Sequence, residues 1–208
     1  MLLGFRGVRS LVLAVSSARL LQSDFACYGH PPRGLWTHAS AVATAARELA
    51  LRCGLDRDAA EHLFVAGLLH DLGKMVLAPH LSEAIQVTKP VRDCAEERAL
   101  LGLDHTEAGA LICAKWNLPI ELQDLIKDHH ELALSGGEVG RNAPVLRLAD
   151  ALAHEAKHGY LPGAAPSAVV DQRDLLRLGI SLGSWHRMRE ELIASMAMAI
   201  PVLGSVAD

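Results

Sequence analysis

Ala66-Gly67-Leu68-Leu69-His70-Asp71-Leu72-Gly73-Lys74 is an apolar run with helical spacing that ends in adjacent histidine and aspartate, then glycine, then lysine. Two side chains that are costly to bury stand at the end of a core helix. A metal ion is the usual reason, because imidazole and carboxylate both ligate hard or borderline divalent cations. An isolated His-Asp pair is weak evidence, so the weight falls on whether the rest of the chain supplies further ligands.

Working outward, the same pattern recurs. His38, Val42, Ala45 and Leu49 share one face of a helix expected over about 35–53, which Gly54 stops. Asp56 caps a helix over about 57–72, on which Leu63, Gly67, His70 and Lys74 align. The stretch 79–101 reads as one or two helices broken near Pro90. Asp104 caps a helix to about Trp116, with His105, Gly109, Ile112 and Trp116 on one face. Pro119 opens a helix ending at the His129-His130 pair, and Leu122, Ile126 and His129 align. After a Gly-rich turn at 135–140, Pro144 starts a helix through about Lys157, where Asp150 sits with Leu146 and Ala153. Gly159, Pro162, Gly163 and Pro166 form a linker, and two helices fill about 168–199.

Each His or Asp taken alone reads more simply as a satisfied core or cap residue. Together they do not, because unpaired ionisable groups in one apolar core cost several kcal/mol each. A shared metal centre removes that cost. Adjacent histidines on a helix point about 100° apart. His129 and His130 therefore serve two neighbouring ions, or one ligates while the other donates a hydrogen bond. A carboxylate such as Asp71 can bridge two ions, which could activate a water and clamp a phosphoryl oxygen, with Lys74, one turn beyond His70, contacting a phosphate.

Composition agrees with an all-α chain. Of the 208 residues half are apolar and 21% charged, Ala and Leu dominate, and β-branched and aromatic residues are few. The net charge of −4 gives no general pull toward nucleic acid or anionic membrane. Eleven histidines are many for this length. Cys27, Cys53, Cys94 and Cys113 are scattered without a CxxC pair, as thiols of a reducing compartment would be, and a cytoplasmic location is expected. The start, MLLGFRGVRSLVLAV, reads as an amphipathic helix over about 5–22 rather than a signal peptide, and no run is long enough to span a membrane. Trp36 and Trp116 read as core anchors. His30, His62, His80, His154, His158 and His186 read as surface or cap residues, Arg141 and Arg147 as solvated helix charges, and no Cys-His arrangement stands out.

His38, His70-Asp71 and Asp150 resemble the H…HD…D pattern of the HD superfamily of metal-dependent phosphohydrolases. The finer resemblance is to its HDOD (HD-related output domain) branch. It is carried by LWTHASAVA (35–43), AGLLHDLGKMVL (66–77), LGLDHTEAGALICAKWNLP (101–119), the DHH element (128–130), RLADALAHEAKHG (147–159) and the LGFRGVRSLVLAV start. It implies an all-helical, HD-domain-like bundle forming a single domain over 1–208. Within it, 1–34 would be the remnant of an N-terminal subdomain, 35–160 the HD-like core and 161–208 the C-terminal helices. It also implies a divalent-metal centre of one or two ions (Fe, Mn, Zn, Ni or Mg) on His38, His70, Asp71, His105, His129, His130 and Asp150, with Asp71 and Lys74 as the catalytic pair if the centre hydrolyses.

Two departures from the family pattern bear on function. HDOD domains usually carry more helices before the LGF…VR…L segment, whereas this chain begins almost at it; a shortened protein, a fragment or a late start would each give that. The related HD-GYP branch, which hydrolyses cyclic di-GMP, follows its histidine pair with Gly-Tyr-Pro. Here Leu132-Ala133-Leu134-Ser135-Gly136-Gly137 follows, Gly34 stands where that branch often has an acidic residue, and no Arg precedes Arg47 after His38. The expected function is a signal-transduction or regulatory HDOD domain acting through protein or ligand contacts. A signalling partner or a homodimer would bind at the exposed N-terminal helix region, and a nucleotide is the expected small ligand. The alternative is a metal-dependent phosphohydrolase or phosphodiesterase acting on a nucleotide or cyclic dinucleotide.

Overall fold

The computed structural model describes residues 21, 25–84, 90–131, 137–166 and 169–206. The expected helix over 5–22 lies outside these apart from Leu21, which is buried. Among the described residues there is no strand beyond one isolated bridge, Phe25 to His30. The helices are α1 (Gly34–Arg52), α2 (Arg57–Leu69), α3 (Lys74–Ala84), α4 (Cys94–Leu101), α5 (His105–Lys115), α6 (Ile120–Lys127), α7 (Gly137–Glu155), α8 (Gln172–Arg177) and α9 (Leu182–Val206). None is long and apolar enough to cross a membrane.

The centre of the bundle is α1. Ala39, Ala41, Val42, Ala43, Ala45, Ala46, Leu49 and Ala50 are buried around its whole circumference, as expected of a helix enclosed by others rather than lying on the surface. Alanine keeps that helix thin, so α2, α7 and α9 close directly onto it. The approach is close at Gly67 of α2, where a Cβ would stand 2.6 Å from Ala43 Cα. His38 stands on one of these two helices and His70 caps the end of the other, so the small residues at the crossing set how closely these two histidines meet.

Several helix ends differ from the expectation, and two of the differences shape the site. The second helix ends at Leu69, not near 72: His70 is its C-cap, 71–73 turn, and Lys74 begins α3. A Cβ at Gly73 would collide with the His105 carbonyl and stand 2.7 Å from Gly109 N. Only glycine therefore lets this turn press against α5. Likewise α6 ends at Lys127, so His129 and His130 lie in a turn and the 100° separation does not apply. Their ring centroids are 4.0 Å apart. Pro144 does not start a helix. It lies inside α7, which begins at Gly137, so the expected turn at 135–140 is helical from 137 onward. The caps at Asp56 and Asp104 form as the sequence suggests; Asp104 makes a complete capping box with Glu107. Trp36 is buried, but Trp116 is 42% exposed at the end of α5 and anchors no core.

Candidate metal centre

Among the described residues, most of the buried ionisable side chains lie in one place. His38 comes from α1, His70 and Asp71 from the turn after α2, and Lys74 from the start of α3. His105 stands at the start of α5, His129 in the turn after α6 and Asp150 on α7; all seven are buried. His130 stands exposed at the edge of the group, its Nε2 3.2 Å from His105 Nε2. The structure thus brings together every residue proposed from sequence as a ligand.

Hydrogen bonding fixes which nitrogen faces inward. His70 Nδ1 lies 2.8 Å from the Gly67 carbonyl and His129 Nδ1 lies 2.6 Å from the Ile126 carbonyl. A carbonyl only accepts, so both Nδ1 atoms carry hydrogen and both Nε2 atoms present a lone pair to the interior. His105 is held the same way by Glu97, whose Oε2 accepts from its Nδ1 at 2.7 Å and its backbone N–H at 2.8 Å. The outer nitrogen of a metal-ligating histidine is commonly held like this.

The inward atoms then meet other acceptors. His70 Nε2 lies 3.4 Å from Asp71 Oδ2 and 3.7 Å from Asp150 Oδ1. His105 Nε2 is 3.4 Å from Asp71 Oδ1. His38 Nε2 is 3.1 Å from Asp150 Oδ1 and 3.7 Å from Asp71 Oδ2. The buried atoms His38 Nδ1 and Nε2, His70 Nε2, His129 Nε2 and Asp150 Oδ1 have no hydrogen-bond partner. Lone pairs facing lone pairs, in a buried pocket, are unfavourable unless a cation stands among them. The residues fit a divalent ion on this ground. One ligand atom each from His38, His70 and Asp71 lie within 4.8 Å of one another, and so do atoms from Asp71, His105 and His129. Asp71 belongs to both sets.

The electrostatics agree. Burial pushes the His38 imidazole down to about 4 and holds that of His129 well below its ordinary value, so both are neutral donors near pH 7. Asp71 and Asp150 are buried, yet neighbouring histidines (and Lys74 for Asp71) hold both carboxyls well below the usual range. His70 goes the other way: burial opposes its imidazolium, but the Asp71 and Asp150 carboxylates outweigh burial and raise its pKa. Something positive is wanted between these groups, a proton or a metal ion. Lys74 supplies part of it. Its Nζ donates to Asp71 Oδ2 at 2.8 Å, and this carboxylate overcomes burial to raise the ammonium pKa.

A cavity of about 520 Å³ opens onto the group. Its wall includes Lys74, His105, His129, His130, Asp150 and His154, with Arg92, Arg98 and Lys127 at other points.

The chain matches the model of the HDOD domain over residues 1–132. It belongs to the HDOD family. An uncharacterized protein of Treponema pallidum (strain Nichols) is 29% identical over 135 residues, 62% of this HDOD chain, which spans about 25% of that protein. A protein of Marinobacter aquaeolei VT8, named provisionally for signal transduction, has a solved structure with a TM-score of 0.76 at 24% identity; the match covers 100% of this chain and 46% of that one. An HDOD domain protein with unknown function from Geobacter sulfurreducens has a TM-score of 0.70 at 20% identity, covering 98% and 72%. At these identities the likeness to the solved structures is one of fold.

Sequence reasoning missed several neighbours of the centre. His30 is fully buried, not on the surface; its Nδ1 bonds the Gly159 carbonyl at 2.8 Å and its ring stacks 4.2 Å from Tyr160. His154 points at Asp150, with Nε2 3.2 Å from Oδ1. Glu97 is buried behind His105. Cys94 Sγ stands 3.9 Å from His105 Nδ1, a Cys-His proximity the sequence did not suggest, but burial pushes the thiol up to about 12 and leaves it protonated. Arg147 is not a solvated charge. It forks onto Asp174 at 2.7 and 2.8 Å and donates to the Glu131 carbonyl. The i+4 spacing of His154 from Asp150 was the one signal available in advance.

Proposed function

We propose that this HDOD chain is a regulatory, signal-transducing domain built around a divalent-metal centre, and that it acts through contacts with a ligand or a partner protein. The observation that carries the reading is the convergence of buried, unpartnered imidazole and carboxylate atoms, with the outer nitrogens of His70, His105 and His129 already fixed. His38, His70, Asp71 and Asp150 would hold one ion. Asp71, His105 and His129 would hold a second, with His130 a further donor at the cavity side. Bound divalent ions supply positive charge to the centre and Lewis acidity toward an oxygen ligand. The chain's own residues do the rest: Glu97 orients His105, the Gly67 and Ile126 carbonyls orient His70 and His129, and Lys74 neutralises Asp71. Because Lys74 is spent on Asp71, it does not stand free as a phosphate clamp, which favours a holding or sensing role over turnover.

The cavity is of a size that takes a small organic molecule, and Arg92 and Lys127 on its wall suit an anionic, phosphate-bearing ligand such as a nucleotide, whereas Arg98 is already paired with Asp104. Metal analysis of protein purified without chelator, beside a His70→Ala/Asp71→Ala control, tests the centre. A generic phosphodiester assay on both tests the role. Bound metal in the wild type, its loss in the control and no turnover in either is the expected result. Metal-dependent turnover lost in the control would replace regulation with hydrolysis, and a metal-free, inert wild type in the presence of added Mn²⁺, Fe²⁺ and Mg²⁺ would overturn the centre itself.

A further inference from the structure

His154 stands outside the ligand set that the family resemblance implies, yet its surroundings are those of a ligand. It lies one turn beyond Asp150 on α7, and its Nε2 is 3.2 Å from Asp150 Oδ1. That same oxygen already faces His38 Nε2 at 3.1 Å and His70 Nε2 at 3.7 Å. Three imidazole nitrogens therefore converge on one carboxylate oxygen, and that oxygen has no hydrogen-bond partner.

A plain i,i+4 helix pair explains this poorly. Such a pair sits in water, where each partner's remaining groups are solvated. Here the side chains of His154 and Asp150 are 11% and 10% exposed, and His154 Nδ1 is buried with no partner. The ring is fixed by packing: its centroid lies 4.8 Å from that of His38 and 5.2 Å from that of Tyr160. Tyr160 also touches His38, at 5.3 Å, and so walls this side of the group. One ligand atom each from His38, Asp150 and His154 lie within 4.8 Å of one another, and Asp150 and His154 both line the cavity, which gives an ion a way in.

We infer that His154 is a ligand of the metal centre, sharing a divalent transition-metal ion with His38 and Asp150. Two imidazoles and a carboxylate suit Zn²⁺, Co²⁺, Fe²⁺ or Mn²⁺ better than Mg²⁺, which prefers oxygen. The inference rests on the metal-centre reading above and adds to it a donor from the C-terminal turn of α7.

The test is a titration of the full-length protein with Co²⁺, followed by visible absorption and calorimetry, on wild type, His154→Gln, His154→Ala and His186→Ala. His186 is exposed on α9 and serves as the control. Wild type and His186→Ala should bind alike, while both His154 variants should lose at least one ion or bind it tenfold or more weakly, with altered ligand-field bands. As a second readout, taken on wild type itself, ¹⁵N-histidine NMR of protein loaded with Zn²⁺ should move a His154 ring-nitrogen resonance, assigned by its disappearance in folded His154→Gln. Wild-type affinity and bands in folded His154 variants, or an unmoved His154 resonance in zinc-loaded wild type, would overturn the inference and leave the centre standing. A wild type that takes up neither Co²⁺ nor Zn²⁺ would overturn both.

Discussion

Glu97 accepts two hydrogen bonds from His105, one from the ring Nδ1 at 2.7 Å and one from the backbone N–H at 2.8 Å. A single buried carboxylate thus fixes both the position of the α5 N-terminus and the tautomer of the histidine that begins it. Removing the charge of an outer partner commonly costs 10–100-fold in metal affinity. Glu97→Gln is expected to weaken Mn²⁺ binding at the His105 side by about tenfold with the fold retained. Calorimetry on the variant checks this, and an unchanged affinity would show that Glu97 only holds the backbone.

Gly73 has no room for a side chain against the His105 carbonyl. Both contacting atoms are backbone, so neither can swing away. Gly73→Ala is expected to cost about 2 kcal/mol, at the middle of the range for overpacking. For a chain of this length that is roughly 4–8 °C in Tm. Gly183→Ala, where a Cβ would meet nothing within 4 Å, is the control. Equal melting temperatures for the two variants would refute the close approach.

Arg147 is the main counter-ion of Asp174, which is buried and has Arg177 Nη1 farther off at 3.6 Å. Arg147→Ala strands a buried carboxylate, which typically costs about 3–5 kcal/mol. Urea denaturation should register that loss, and Arg147→Met/Asp174→Leu should recover most of it. A single variant as stable as the wild type would return Arg147 to the role of an ordinary surface charge.

Burial holds His30 down to about 3 and His38 to about 4, against 6.5 for a free imidazole. The unfolded chain therefore takes up protons at these two positions before the folded one does. Stability is expected to fall as pH drops below about 6.5, by up to roughly 1.4 kcal/mol per pH unit for each group. His70, whose folded pKa is raised, contributes in the opposite sense: its stabilisation is present at low pH and is lost as pH rises through its folded value. His129, held well below its ordinary value, and His130, pushed by burial down to about 4, act in the same sense as His30 and His38, so the depressed groups outnumber His70 and leave a net loss on acidification. Thermal melts of metal-free protein in EDTA at pH 7.5, 6 and 5 should show a falling Tm, and a rising one would mean that His38 is already protonated in the native state.

The part of the site legible in the sequence is the part with local signals. His70-Asp71 ends an apolar helix, Asp104 announces the start of α5 three residues before a matching Glu107, and His38, His129 and Asp150 fall on apolar faces. These signals work because helical periodicity ties residue spacing to direction. They failed where the spacing was broken. The helix carrying His70 stops at Leu69, so Lys74 belongs to the next helix and meets Asp71 across a turn. His129 and His130 leave α6 altogether, which brings their rings together instead of apart.

The chain by itself determined the helical class, because Ala-rich, Leu-rich periodic segments with Asp caps have little else to form, and it pointed to the residues of the HD pattern that the fold brings together. Which histidines are neutral, which nitrogen each one points inward, and that His30, Glu97, His154 and Tyr160 stand around the same centre were decided only by the tertiary structure. The reason is distance along the chain: His30 meets Gly159 across 129 residues and Arg147 meets Asp174 across 27. Burial and tautomer are properties of those long-range neighbours, and no local pattern encodes them.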